Sequence, residues 1–188
     1  MRGRGATAVD RTLALSLDYP DDGLVAMRAA IAAEAPARLA GFASWWAETD
    51  PRELRERYVA DLDMRGGTAL YLTHHRFGDR RDRGRALVAL KRLYREAGWE
   101  PCSWELPDYL PLVLELAAAD PEAGMPLLVE YRVELEAIRR GLERAESPWT
   151  DVLAAVVEEL PPADEDEVAR LLDEGPPTEL VGLEEARA

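Results

Sequence analysis

Apolar residues recur along this chain at helical spacing almost from end to end. Val9, Leu13 and Leu17 fall four apart and predict a short helix that Tyr19-Pro20 ends. Asp21-Asp22 then predicts the start of a second, with Leu24, Met27 and Ile31 on one face and a stop near Pro36. Leu39, Phe42, Ala43 and Trp46 stand at i, i+3, i+4 and i+7, the stripe of a core-facing helix. Asp50-Pro51-Arg52-Glu53 combines an N-cap aspartate with proline at the first helical position. The helix it opens carries Leu54, Tyr58 and Leu62 inward and breaks at Gly66-Gly67.

Leu70, His74 and Phe77 predict the next helix, ended by Gly78, and Asp79 is expected to cap the one after. There Ala86, Leu87, Leu90, Leu93, Tyr94 and Ala97 keep a 3.6-residue period, and Gly98 closes it. Residues 99–106, with two tryptophans, read as a packed connecting loop. Asp108 is expected to cap a helix with Leu110, Val113, Leu114 and Ala117 buried, Pro111 being tolerated in its first turn. Asp120-Pro121 starts another turn, and Leu127, Tyr131, Leu135, Ile138 and Leu142 predict a long helix. Ser147-Pro148 caps the last clear one, with Trp149, Val152, Leu153, Val156 and Leu160 inward. No alternating strand and no hairpin signature interrupts this series. The expected fold is all-α, a single globular bundle of about eight to ten helices. Its domain covers residues 1–162, ends at Pro161-Pro162, and is followed at 163–188 by an acidic, largely flexible tail in which Val168, Leu171 and Leu172 form at most a turn or two.

Composition supports one folded domain: 188 residues, 47% of them hydrophobic. The net charge of −14 argues against nucleic acid or an anionic membrane as partner for the chain as a whole. That charge is uneven. Residues 158–188 hold eleven acids against two arginines, whereas residues 76–95 hold eight Lys/Arg against Asp79 and Asp82. Arg80, Arg81, Arg83 and Arg85 lack the interleaved aromatics of a nucleic-acid site, and suit an acidic tail or a partner's acidic surface. No signal-peptide pattern opens the chain, and no apolar run approaches the ~18 residues of a membrane span. A cytoplasmic protein without membrane insertion is expected.

Candidate chemistry is sparse. Cys102 is the single cysteine, too few for a disulfide or a multi-cysteine metal site, and no histidine is near it to activate a nucleophile. His74 and His75 are adjacent, so on a helix they point about 100° apart and do not face one ion. Asp61 with Asp63, and Glu105 with Asp108, offer paired carboxylates at the spacing of capping turns, more than of a general acid and base. Gly66-Gly67 and Gly78 lack the rest of a phosphate loop. These residues predict no enzyme and no bound cofactor, but a helical binding scaffold.

One succession of residues carries more. Tyr58…Leu62-Asp63, Leu70-Tyr71-Leu72-Thr73, Gly78-Asp79-x-Arg81-x-Arg83-Gly84-x-Ala86-Leu87, Tyr94-x-x-x-Gly98 and Glu105-Leu106-Pro107-Asp108-Tyr109-Leu110-Pro111 resembles the nitrate reductase molybdenum cofactor assembly chaperones, the delta-subunit branch of the redox-enzyme chaperones. Leu17-Asp18-Tyr19-Pro20-Asp21 and Ser147-Pro148 fit the same pattern, which spans roughly residues 10–160. Leu62, His74-His75 and Trp99 depart from it at apolar or half-buried positions. The resemblance implies a non-catalytic cytoplasmic chaperone that binds the N-terminal segment of the catalytic alpha subunit of respiratory nitrate reductase, as the alpha–beta complex. It would hold the apoenzyme ready for molybdenum cofactor and iron–sulfur insertion, groups that belong to the client. The alternatives are a chaperone of another molybdenum oxidoreductase and a helical nucleic-acid-binding regulator. Self-association by exchange of helices is compatible with short connections. The expected groove has Asp61, Asp63, Glu105 and Asp108 as polar rim, Tyr58, Tyr71, His74 and Tyr109 as aromatic contacts, and Pro107 shaping its turn.

Overall fold

Aspartates open four of the helices by accepting backbone amides that have no partner within the first turn. In the computed structural model, which describes residues 11–100 and 105–177, Asp21 accepts from Leu24 N at 2.7 Å to start α2 (Asp22–Ala33). Asp50 accepts from Arg52 N at 2.9 Å and starts α4 (Pro51–Tyr58). Asp120 does the same for α8 (Pro121–Glu130) and Asp164 for α11 (Glu165–Glu174). The remaining helices are α1 (Arg11–Leu17), α3 (Ala40–Glu48), α5 (Leu72–Phe77), α6 (Arg81–Glu96), α7 (Leu110–Ala119), α9 (Arg132–Arg144) and α10 (Thr150–Val157). A 3-10 turn at Ala37–Leu39 leads into α3, and a π-helical segment, Val59–Asp63, extends α4. There is no strand among the described residues, only one isolated antiparallel bridge between Tyr71 and Tyr109. The all-α bundle expected from the periodicity is what forms.

Two expected caps act elsewhere. Asp79 is exposed in a turn, and α6 begins at Arg81 with Arg80 at its cap and no capping side chain. Gly78 causes this: at φ 56° and ψ −131° it turns the chain so sharply that two more residues pass before helical geometry resumes. Asp108 does not cap α7, which starts behind Tyr109. Its side chain instead reaches across the fold to the first turn of α5, accepting from Thr73 N at 3.1 Å and from the Thr73 hydroxyl at 2.5 Å.

The tail expected from residue 163 contains a packed helix. Val168 of α11 is fully buried against α9, and Glu165 pairs with Arg140 of α9 at 2.8 Å. Beyond α11, the Pro177 carbonyl lies where a side chain on Gly78 would start, 1.5 Å from an ideal Cβ. Residues 178–188 and the loop residues 101–104, including Cys102, lie outside the described residues, as does Val9.

The core gathers around aromatic rings. Trp149, fully buried, meets Trp45 edge-on at 5.2 Å and Tyr58 at 5.6 Å, and donates from Nε1 to Ser16 O at 2.8 Å. This joins α10 to α1 and α4. α7 packs between α1 and α8. At the α7–α8 crossing a Cβ on Gly124 would stand 2.3 Å from Ala117 N, a contact with backbone that no rotamer relieves. Gly124→Ala is therefore expected to cost about 1–3 kcal/mol as an overpacked crossing, read as a lower urea midpoint at unchanged m-value.

Candidate functional site

The π-helical segment decides which side chains face a cleft on this bundle. Met64 N bonds to Val59 O at 2.9 Å, five residues back, so the last turn of the α4 extension is wide. Tyr58 and Leu62 point inward there and Asp63 is left exposed at the rim. Opposite, the segment around Leu70-Tyr71 crosses the one around Tyr109 through two backbone bonds. Leu72 N donates to Asp108 O at 3.0 Å, and Leu110 N to Leu70 O at 2.8 Å. This crossing brings Tyr71 against Tyr109, ring centres 5.3 Å apart and planes tilted by 35°. Tyr19, following α1, closes the cleft with its ring edge-on to Tyr58 at 5.4 Å. The resulting cavity, about 180 Å³, is lined by Tyr19, Tyr58, Leu62, Asp63, Leu70, Tyr71, Glu105 and Tyr109.

Each of the three buried or half-buried phenols is hydrogen-bonded. Tyr58 donates to Leu17 O at 2.9 Å and shares a 2.8 Å contact with the Tyr109 hydroxyl. Tyr71 donates to Glu105 at 3.0 Å. Asp18 accepts from Tyr109 at 3.4 Å on the far side, where a second recess of about 70 Å³ is bounded by Asp18, Glu105, Tyr109 and Glu115. Burial raises the ionisation of all three phenols well above its ordinary value. Asp18 is raised as well, first by burial and further by the nearby charges of Asp21 and Glu105. Neither recess has a lysine, arginine or histidine in its lining, so its field is negative. An apolar, aromatic floor with an acidic rim suits a peptide with apolar anchors and basic neighbours.

Five of the nine residues singled out from the sequence meet at this cleft: Tyr58, Asp63, Tyr71, Glu105 and Tyr109. The others stand apart. Asp61 is buried and paired with Arg57 at 2.7 Å, and its carbonyl accepts from the Thr68 hydroxyl. Asp108 and Pro107 are buried behind the crossing. His74 is half-buried on α5, outside the lining, its proton affinity lowered by burial and by Arg83. His75 is buried with Nε2 on Ala69 O at 2.7 Å, so the two imidazoles do not converge on one point. Among the described residues no group of three or more His, Cys, Asp or Glu is placed to hold a metal ion, and no helix is long and apolar enough to cross a membrane. Asp18 and Tyr19 also border these recesses; their signal in the sequence is Leu17-Asp18-Tyr19-Pro20, where an aspartate and a tyrosine follow a helix that ends against the core.

The sequence profile of the nitrate reductase delta subunit family matches residues 28–155, more than half of the chain. The chain belongs to that family. It is 45% identical over 108 residues to the nitrate reductase-like protein NarX of Mycobacterium tuberculosis (strain ATCC 25618 / H37Rv), a match covering 57% of this chain and 17% of that protein. It is 40% identical over 74 residues to the nitrate reductase molybdenum cofactor assembly chaperone NarJ of Escherichia coli (strain K12), covering 39% of this chain and 31% of NarJ. The chain thus spans less than a third of either relative. The crystal structure of an Archaeoglobus fulgidus protein assigned to redox enzyme maturation superposes with a TM-score of 0.64 at 19% identity, over 85% of this chain and 95% of that one. That likeness establishes the shared fold.

Proposed function

We propose that this protein is a cytoplasmic, non-catalytic chaperone of respiratory nitrate reductase. It binds the N-terminal segment of the catalytic alpha subunit, as the alpha–beta complex, and holds the apoenzyme open for molybdenum cofactor and iron–sulfur insertion before membrane docking. Two things support this reading: membership of the delta subunit family, and the assembly role carried in the name of its Escherichia coli relative. The observation that carries it is the cleft itself, with exposed Tyr19 and half-buried Tyr71 above an acidic rim.

Apolar and aromatic contacts supply most of the affinity in this scheme, because each exposed ion pair at the rim adds only ~0.2–1 kcal/mol. Release requires no nucleotide. Folding of the client withdraws the bound segment, and the equilibrium shifts by differential binding alone.

Calorimetry with a synthetic peptide of the alpha subunit's first thirty or so residues tests the proposal. Tyr71→Ala is expected to weaken binding by ~10–30-fold, the loss of an aromatic anchor worth about 1.4–2 kcal/mol. Tyr71→Phe, which gives up only the bond to Glu105, is expected to stay within a few-fold of the parent. A Tyr71→Ala chain that folds normally and binds as tightly as the parent removes the cleft as the docking site. A parent chain that ignores this peptide but binds that of another molybdenum oxidoreductase reassigns the client.

A further inference from the structure

α6 has an outer face that the bundle does not use. Of its sixteen residues only Leu90 and Tyr94 are fully buried, while Val88 is 65% exposed. Arg81, Arg85, Val88, Arg92 and Arg95 follow one another at three- and four-residue steps, all exposed, and so form one stripe. Arg85 pairs with Asp82 and Arg92 with Glu96. Arg80, Arg81 and Lys91 have no acidic partner among the described residues. A concentrated positive stripe with an aliphatic side chain at its middle is unusual on a chain whose net charge is −14.

The chain's own course says what lies within reach of it. Pro177, the last described residue, sits with its backbone against Gly78, three residues before α6 begins. The next eleven residues contain Glu179, Glu184 and Glu185 against one arginine, Arg187, with Leu180, Val181 and Leu183 among them. Extended, eleven residues reach about 36–40 Å, and a sixteen-residue helix is about 24 Å long. The segment is long enough to run the length of α6 and carries the complementary charge and apolar side chains. Tethered at Gly78, it competes for the stripe at an effective concentration near the millimolar range. A separate acidic partner has no such advantage in the free protein.

We infer that the outer face of α6 is a docking surface for acidic, aliphatic peptide, and that in the free chain its occupant is residues 178–188. The carboxylates of Glu179, Glu184 and Glu185 meet the arginine stripe, and Leu180, Val181 or Leu183 covers Val88. This surface is distinct from the tyrosine cleft, and it stands or falls independently of the client proposed above.

A nitroxide attached at Ala186→Cys in a Cys102→Ser full-length chain tests it, read as loss of amide signal in a nitrogen-15 NMR spectrum. Amides of Arg85, Val88, Arg92 and their neighbours are expected to lose intensity. Arg81→Glu/Arg85→Glu/Arg92→Glu, three exposed substitutions away from the cleft, is expected to restore it. Undiminished α6 signals, or attenuation centred on another surface, overturn the inference. So does attenuation that persists in the triple variant. Attenuation that appears in an unlabelled nitrogen-15 chain mixed with spin-labelled chain makes the occupant a second copy and overturns the intramolecular assignment.

Discussion

Asp108→Ala is expected to lower the unfolding free energy by about 3 kcal/mol, at the lower end of the 3–5 kcal/mol typical when one partner of a buried charged network is removed. Asp108 is fully buried, and its Oδ2 serves two donors of Thr73, the backbone amide at 3.1 Å and the hydroxyl. Arg83 adds a third, longer interaction at 3.8 Å and itself donates to the Thr73 hydroxyl. Alanine leaves the Thr73 amide and hydroxyl in the first turn of α5 without this acceptor and takes away the carboxylate beside Arg83. The other oxygen, Oδ1, is buried without a partner, a cost already present in the parent that alanine relieves. That relief is why the lower end applies. The two backbone bonds of the crossing survive, so the variant is expected to fold. Urea denaturation followed by tryptophan fluorescence measures the difference, with Asp108→Asn as the intermediate case. A loss under about 1 kcal/mol would show that Thr73 finds other acceptors and that the α5 cap is not set from across the chain.

The second large effect is a dependence on pH carried by His75. Burial lowers its proton affinity from 6.5 to about 4, opposed by the Ala69 carbonyl and assisted by His74. Unfolded chains take up a proton on this imidazole near 6.5, whereas the folded protein resists until about 4. The stability it contributes is therefore complete above pH 6.5 and is lost as pH falls through 4. At ~1.4 kcal/mol per pH unit the window is worth about 3 kcal/mol. Asp18 works in the opposite sense. Its raised affinity lets the folded state hold a proton that the unfolded carboxyl releases, so it stabilises on the acid side and offsets part of the loss there. His75→Gln, whose amide can still donate to Ala69 O, isolates the histidine. The unfolding free energy of the parent is expected to fall between pH 6.5 and 4 by about 3 kcal/mol more than that of the variant, read from urea denaturation. Parallel curves would mean that the imidazole is protonated in place.

Helix existence was legible in the sequence because apolar spacing and punctuation agreed. Asp21, Asp50 and Asp120 cap where their local pattern placed them, and Gly78 and Gly98 adopt the positive φ that a helix stop needs. Asp79 and Asp108 carried the same local signature and do something else. A cap is a contest among nearby amides, and for Asp108 the winner lies thirty-five residues away in sequence, where no window can see it. α11 is hidden in the sequence for a related reason. Its two acidic turns look like solvated tail until Val168 finds the groove on α9. At the cleft, Tyr58, Tyr71 and Tyr109 were legible as aromatic residues beside turns, and the crossing brings them together. Asp61 and Asp63 differ by only two residues, yet the wide π turn buries one and exposes the other. Spacing alone assigns both to the rim.

The linked tyrosines have a consequence for how the cleft behaves as a charged object. Because desolvation holds their hydroxyl protons in place far into alkali, the phenols contribute dipoles but no titratable charge under any condition in which a cell lives. The negative charge lining the cleft is therefore carried by Asp63 and Glu105, and by none of its phenols. A visitor bearing cations would gain no further attraction from the tyrosines as pH rises from about 7 to about 9.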